Sequence, residues 1–271
     1  MKKSALKWLY KFWAYAFSKP QFLRLNKLLL GLSLRGLGIL NTSKLSGEKE
    51  WLKKYLRTIK TNPIVFDIGA NIGNYLNDVL TIVPSADIYA FEPHPKNFKN
   101  LIKLAEKLEN NVKCFNNALG SEKKQIKLYD YENKDGSSHA SLYKEVIEDI
   151  RSCKTVNYDV EMITLDEFCL NNKIDVIHLL KIDIEGNELQ CLKGAKQLLS
   201  EGKIKAIQFE FNEMNIFSRT TFKDFWDLLD GFDFYRLLPG GRLLPIKKYS
   251  PLQCEIYAYQ NIVAIKKRAN K

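Results

Sequence analysis

Histidine is scarce in this chain, cysteine is scattered, and the first 47 residues contain no acidic side chain. Three histidines, His94, His139 and His178, are too few for a histidine-rich metal centre. The five cysteines, at 114, 153, 169, 191 and 254, form no CxxC pair and no zinc-like spacing. An odd, scattered set without a signal peptide implies reduced thiols acting as small apolar residues, hence a cytoplasmic chain. No long uncharged apolar run is present either. The stretch from Phe22 to Leu40 is interrupted by Arg24, Lys27 and Arg35, which excludes a spanning helix, and no cleavage site follows it.

What is present begins with charge. Residues 1–60 hold 14 basic side chains against Glu48 and Glu50, whereas the remainder holds 28 basic and 29 acidic ones. The net charge of +11 is therefore an N-terminal property. A neutral body has no basic track for nucleic acid, so no nucleic-acid partner is expected. Lys3, Lys7 and Lys11 at four-residue spacing make one basic stripe on a helix, with Trp8, Phe12, Trp13, Tyr15 and Phe17 among the aromatics around it. Two readings stand side by side for residues 1–40. Either they lie on an anionic membrane, at the inner face, or they pack on the body with their lysines in water.

After Asn62-Pro63 the chain alternates strand-like and helical runs. Strands are expected at 64–68, 87–91, 112–116, 176–182, 204–211, 232–238 and 255–265, and helices at 72–82, 95–109, 187–200 and 221–230. That alternation implies an α/β, doubly wound, mostly parallel seven-stranded sheet. The last strand is expected to run antiparallel. A helical extension occupies 1–46, the main domain 47–271, and a β insertion about 125–163 interrupts it, with a mobile loop around Asp135-Gly136-Ser137-Ser138.

The first strand turns into a helix through Asp67-Ile68-Gly69-Ala70-Asn71-Ile72-Gly73-Asn74. Gly69 and Gly73 permit a tight turn and close approach to a ligand. A dinucleotide fingerprint would need glycine at 71 and 74, and both are Asn; no Gly-Lys-Ser/Thr follows, so this is not a P-loop. Asp67 would repel a pyrophosphate but suits a ligand carrying a sulfonium and an amine, as S-adenosylmethionine does. Glu92, ending the next strand, is placed to accept both ribose hydroxyls.

These pieces resemble the FkbM-type family of S-adenosylmethionine-dependent methyltransferases, over residues 47–266. The similarity rests on Val65–Gly73, Ala90-Phe91-Glu92-Pro93, Asn117-Ala118-Leu119-Gly120, Thr164-Leu165-Asp166-Glu167-Phe168 and Lys181-Ile182-Asp183-Ile184-Glu185-Gly186-Asn187-Glu188. The resemblance implies a class I methyltransferase fold. It also implies that Asp67, Gly69, Ala70, Asn71, Gly73 and the neighbouring Asn74 hold the methionine part. Glu92 would hold the ribose, and Asn117 and Ala118 the adenine edge. Such enzymes methylate hydroxyls of sugars or natural products, so the expected acceptor is a sugar of a surface glycan or glycolipid. A natural-product hydroxyl is the alternative. Neither the Asn/Asp-Pro-Pro-aromatic turn nor the Pro-Cys pair of nucleic-acid methyltransferases is present, and the intact glycine turn argues against a non-catalytic binding module.

An alcohol acceptor must lose its proton. The candidates are Asp183 and Glu185 first, then Glu210 with the nearby Asn212-Glu213, and His139 as the alternative base on a loop able to fold over the acceptor. A divalent metal on Asp183, Glu185 and Glu210 is the less favoured arrangement, for want of a histidine triad. His178 reads as a core residue and His94 as part of a proline-flanked turn.

Overall fold

The computed structural model describes residues 3–40, 45–108 and 111–267. The side chain of Lys3, residue 109 at the end of one expected helix, and residues 41–44 before the expected domain boundary lie outside the described set.

Two helices, α1 (Lys3–Phe17) and α2 (Leu23–Gly36), precede the body, joined by a short 3-10 turn at Pro20–Phe22. The body runs α3 (Glu48–Leu56), β1 (Ile64–Ile68), α4 (Asn74–Ile82), β2 (Asp87–Phe91), α5 (Pro95–Leu108) and β3 (Val112–Phe115). Next come β4 (Ala118–Leu119), β5 (Lys124–Tyr131), β6 (Thr155–Ile163), α6 (Leu165–Asn171) and β7 (Leu179–Ile182). The chain closes with α7 (Glu188–Lys193), α8 (Lys196–Ser200), β8 (Ala206–Phe211), α9 (Met214–Phe217), α10 (Phe222–Leu228), β9 (Phe232–Leu238), β10 (Arg242–Ile246), α11 (Pro251–Cys254) and β11 (Gln260–Lys266).

The main sheet has eight strands in the order β10-β9-β11-β8-β7-β1-β2-β3. Pairing is parallel from β3 through β8, and β11 enters antiparallel between β8 and β9. The strand beyond the expected seven is β10, which folds back on β9 through Pro239-Gly240-Gly241. Its Pro245 hides it from a strand reading, yet an edge strand tolerates proline because one side of its backbone has no neighbour to bond. The expected helix at 187–200 breaks into α7 and α8 at Gly194-Ala195. A side chain at Gly194 would stand 2.0 Å from the Gly120 carbonyl, so the break follows from close contact with the turn after β4.

β1 is apolar apart from one acid and is buried on both faces, as central parallel strands are. Phe66 on it joins Tyr89, Phe91 and Phe115, and Phe168 of α6 stands edge-on to all four at 4.8–6.0 Å. Burying such a ring is worth about 1.5–3 kcal/mol, so this cluster fixes α6 and the sheet's far edge. The insertion forms a second sheet, order β4-β6-β5, with β5 and β6 antiparallel.

From β1 the chain moves outward through β2 and β3, then returns to β7 on the other side. The crevice where the winding reverses therefore lies between the carboxyl ends of β1 and β7.

Candidate active site

A cleft of about 650 Å³ opens at that crevice. It is within the usual range for a small-molecule site. Gly69, Ala70, Asn71, Asn74, Glu92, Asn117, Ala118, Asp183 and Glu185 all line it. Asp67, Gly73, Glu210 and His139 do not.

The turn after β1 owes its glycines to the protein around it rather than to a ligand. Gly69 has φ +80°, and a Cβ there would lie 1.9 Å from the Asp183 carbonyl oxygen. Gly73 has φ +91° and its missing Cβ leaves room for Leu104 of α5 at 2.5 Å. The amides of Gly69 and Ala70 both donate to the Phe91 carbonyl, at 2.9 Å each. Both glycines therefore make the tight turn expected of them; Gly69 also lines the cleft, whereas Gly73 packs against α5 and does not.

Glu92 is fastened to the same turn. Its Oε2 accepts from the Asn71 amide at 2.7 Å and its Oε1 from the His94 amide at 2.8 Å. Each oxygen keeps a lone pair for a further donor. Burial pushes the Glu92 carboxyl up to about 7, against the pull of those amides.

Asp67 sits behind the cleft wall, fully buried, and does not face the ligand space as expected. The cause is register: Asp67 lies opposite Lys181 in the β1–β7 pairing. The Lys181 ammonium is 3.4 Å from Asp67 Oδ1 and 3.4 Å from Asp183 Oδ2, and lies over the Tyr75 ring at 5.3 Å. Asp183 follows directly on the end of β7, two residues after Lys181, which brings its carboxylate to the same ammonium. Burial alone would lower the lysine, but Asp67, Asp183, Glu48 and Glu210 outweigh it and hold it above its ordinary range. Burial raises Asp67, and Lys181 opposes that. Glu48, at the start of α3, is raised by burial too and bonds the Gln208 amide.

The turn after β7 contributes Asp183, Ile184, Glu185 and Asn187 to the cleft wall. Glu185 has φ +50° and Gly186 φ +106°, a strained pair held by Glu188, whose Oε1 accepts from the amides of Ile184 and Gly186 at 3.1 Å each. Burial pushes Glu188 up to about 7. The turn brings Glu185 Oε1 to 2.8 Å from His139 Nδ1, while Glu185 Oε2 is buried without a partner. Burial raises Glu185 and the imidazole opposes it. His139 is half-exposed, between Ser138 and Ala140, which both line the cleft.

Glu210 does not line the cleft; its carboxylate accepts from the Asn212 side-chain amide at 3.2 Å, and burial, then Asp183 and Glu185, raise it well above the ordinary carboxylate range. Asp183, Glu185 and Glu210 are not drawn into one ligand set. Among the described residues, the group whose ligand atoms lie within 4.8 Å of one another is His94, Asp130 and Asp135.

That group latches the loop expected to be mobile. Asp130 accepts from the Tyr131, Gly136 and Ser137 amides and from the Ser137 hydroxyl. His94 Nε2 lies 3.0 Å from Asp135 Oδ1, and Lys96 Nζ lies 3.6 Å from Asp135 Oδ2. Asn71 and Asn97 donate to the Ser137 carbonyl at 3.2 and 3.1 Å. With Ser141 donating to the Glu185 carbonyl at 2.8 Å, the loop is fixed to the glycine turn, to α5 and to the acceptor side at once. His94 is thus a buried anchor rather than only turn structure, whereas His178 accepts from the Ile64 amide at 3.0 Å, a structural role.

Glu48, Glu188 and Asp130 were not assigned a role from the sequence, and Lys181 was read only as a candidate partner of Asp183 or Glu185, of which the structure shows the Asp183 pair. Lys181 and Glu188 carried a signal, as the first and last residues of the Lys181–Glu188 run; Glu48 and Asp130 depend on which elements and loops meet.

Residues 67–235 match the family described as Methyltransferase FkbM domain. The chain is 24% identical over 191 residues to the 2-O-methyltransferase NoeI of Sinorhizobium fredii, covering 67% of this chain and 77% of that one. It is 25% identical over 155 residues to the hexuronic acid methyltransferase AglP of Haloferax volcanii, covering 57% and 59%. To the methyltransferase sdnD of Sordaria araneosa it is 31% identical over 166 residues, covering 52% and 64%.

Proposed function

This chain belongs to the FkbM-domain family and is an S-adenosylmethionine-dependent methyltransferase, and from that premise we propose that it methylates a sugar hydroxyl with His139 as the base. The observation that carries the reading is the His139–Glu185 pair beside the cleft. The relative named for a hexuronic acid supports a sugar and the one named for a 2-O position supports an oxygen acceptor; a surface glycan or glycolipid is the setting this proposal adopts. Residues 47–271 form the catalytic unit and residues 1–46 an attached one.

The cleft's chemistry fits the cofactor. Its Glu92 carboxylate has two free lone-pair directions for vicinal ribose hydroxyls, and Asn117 and Ala118 supply the adenine edge. Gly69 to Asn71 and Asn74 line the part that takes the methionine moiety. Asp67 acts there through Lys181 and not by contact. When bound, the cofactor supplies a methyl group on a sulfonium.

The protein's own task is to orient an oxygen and remove its proton. Glu185 holds Nδ1 of His139, which sets Nε2 as the accepting nitrogen. Nε2 would take the acceptor hydroxyl's proton and Glu185 would stabilise the imidazolium, while the oxygen would accept the methyl group as its bond to the cofactor's sulfur breaks and a neutral thioether leaves. Asp183, held by Lys181, borders the same space and orients the hydroxyl. The latched loop 135–141 carries the base and keeps bulk water from the reacting oxygen.

Comparing the host's glycans by mass spectrometry with and without the gene tests the assignment. The expected result is loss of one methyl group from one sugar. Unchanged glycans together with methyl loss from a free small molecule would overturn the sugar and leave the base standing.

A further inference from the structure

α1 and α2 form a hairpin whose outer surface is exposed among the described residues. The inner seam is made by Trp13 and Phe17, stacked at 4.2 Å, by Phe22 against Phe17, and by Asn26, which accepts from the Trp13 indole and donates to the Phe17 carbonyl. Outside that seam α1 exposes 65% of Trp8, 49% of Phe12 and 85% of Tyr15. No side chain of α2 is buried, and Leu25, Leu28, Leu29 and Leu32 recur at the spacing of one helical face. A contiguous apolar surface of this kind marks an interaction site.

Charge decides what it meets. From Lys7 to Leu40 the chain has six basic residues, Lys7, Lys11, Lys19, Arg24, Lys27 and Arg35, and no acid. A second copy would bring like charges together across a two-fold interface, and lysine is depleted from protein–protein interfaces. An anionic bilayer takes both features, aromatic rings at headgroup depth and ammonium groups on lipid phosphates. No helix among the described residues is long and apolar enough to cross a membrane.

The hairpin is rooted at the edge where the cleft opens. Leu40 N donates to the Tyr259 carbonyl at 2.8 Å, Ile39 is wholly buried, and Gly38 packs against the Leu237 carbonyl. Leu237 and Leu238 end β9, which runs parallel to β8, so this is the carboxyl edge of the parallel strands. Gly47, against the Leu238 carbonyl, and Glu48 line the cleft itself.

We propose that α1 and α2 are an interfacial anchor that docks on an anionic lipid bilayer and holds the cleft mouth at its surface. The test uses the full chain in vesicle flotation, comparing phosphatidylcholine alone with phosphatidylcholine carrying about 30% phosphatidylglycerol. Comigration is expected only with the anionic vesicles and weakens at about 0.5 M salt, where screening shortens the reach of charge. Replacing Lys7, Lys11 and Lys27 by Glu is expected to cut partitioning at least roughly tenfold, since each basic group near the surface contributes about fivefold. Trp8→Ser with Phe12→Ser and Tyr15→Ser does the same, with cofactor binding and thermal melting unchanged. Brominated lipids quench Trp8 and Trp13, which lie on α1, and leave the buried Trp51 bright. Absence of comigration by folded protein overturns the proposal, as does comigration that neither variant changes. A lipid-free dimer broken by the aromatic variant, without vesicle binding, assigns the surface to a second copy instead. None of these readouts depends on the acceptor, so they stand or fall apart from the sugar assignment.

Discussion

The imidazole Nδ1 of His139 lies 2.8 Å from Oε1 of Glu185, although 46 residues separate them and each belongs to a different loop. The pair exists because the latched loop after β5 and the strained turn after β7 meet at the cleft. His139→Ala should lower kcat about a hundred- to ten-thousand-fold, the range for losing a general base. Glu185→Gln should cost less, as the imidazole keeps a partner but loses the charge that stabilises its cation. Both variants should bind the cofactor normally by calorimetry, and a matching loss of cofactor affinity would place the pair outside the chemistry.

Glu92 gives the cofactor site a pH dependence. Its carboxyl is pushed up to about 7, and only the ionised form accepts from two hydroxyls at once. Cofactor affinity should therefore rise roughly tenfold between about pH 6 and pH 8, as the competent fraction grows. Titration calorimetry of Glu92→Gln should give a weaker and pH-independent affinity.

Glu188 acts on stability in an unusual direction. An unfolded chain releases this proton near its ordinary value of 4.5, the folded one near 7. Between those values the folded state holds more protons, so stability falls as pH rises through that window, by up to about 3 kcal/mol. Glu188→Gln keeps an oxygen for the Ile184 and Gly186 amides without the buried charge, so denaturant titrations of this variant should show a flatter profile.

Asp130 accepts four hydrogen bonds in the latch. Asp130→Ala leaves those donors without a partner and should cost about 3 kcal/mol. Limited proteolysis should then cut within residues 132–140 faster than in the parent. Unchanged cleavage there would mean that the loop is held by its other contacts alone.

Prolonged dialysis against a chelator should leave turnover unchanged. Asp183 pairs with Lys181, Glu185 with His139, and Glu210 lies off the cleft, bonded to the Asn212 amide. A loss of activity restored by magnesium would return the metal arrangement to consideration.

The alternating pattern and the run from Asp67 to Asn74 were legible in the chain because local sequence carries them. Hydrophobic period, glycine placement and strand-end acids each act within a few residues, and they determined the α/β winding, the position of the crevice and the turn that Glu92 fastens. The basic, acid-free N-terminus was equally plain. Tertiary structure alone decided the rest, because register and loop meeting points are long-range properties. It set Asp67 opposite Lys181 and so behind the cleft, moved Glu210 off it, and put Pro245 on an edge where a strand survives. It also tied the loop expected to be mobile to three neighbouring elements, and brought His139, an isolated histidine in the sequence, to 2.8 Å from the Glu185 carboxylate.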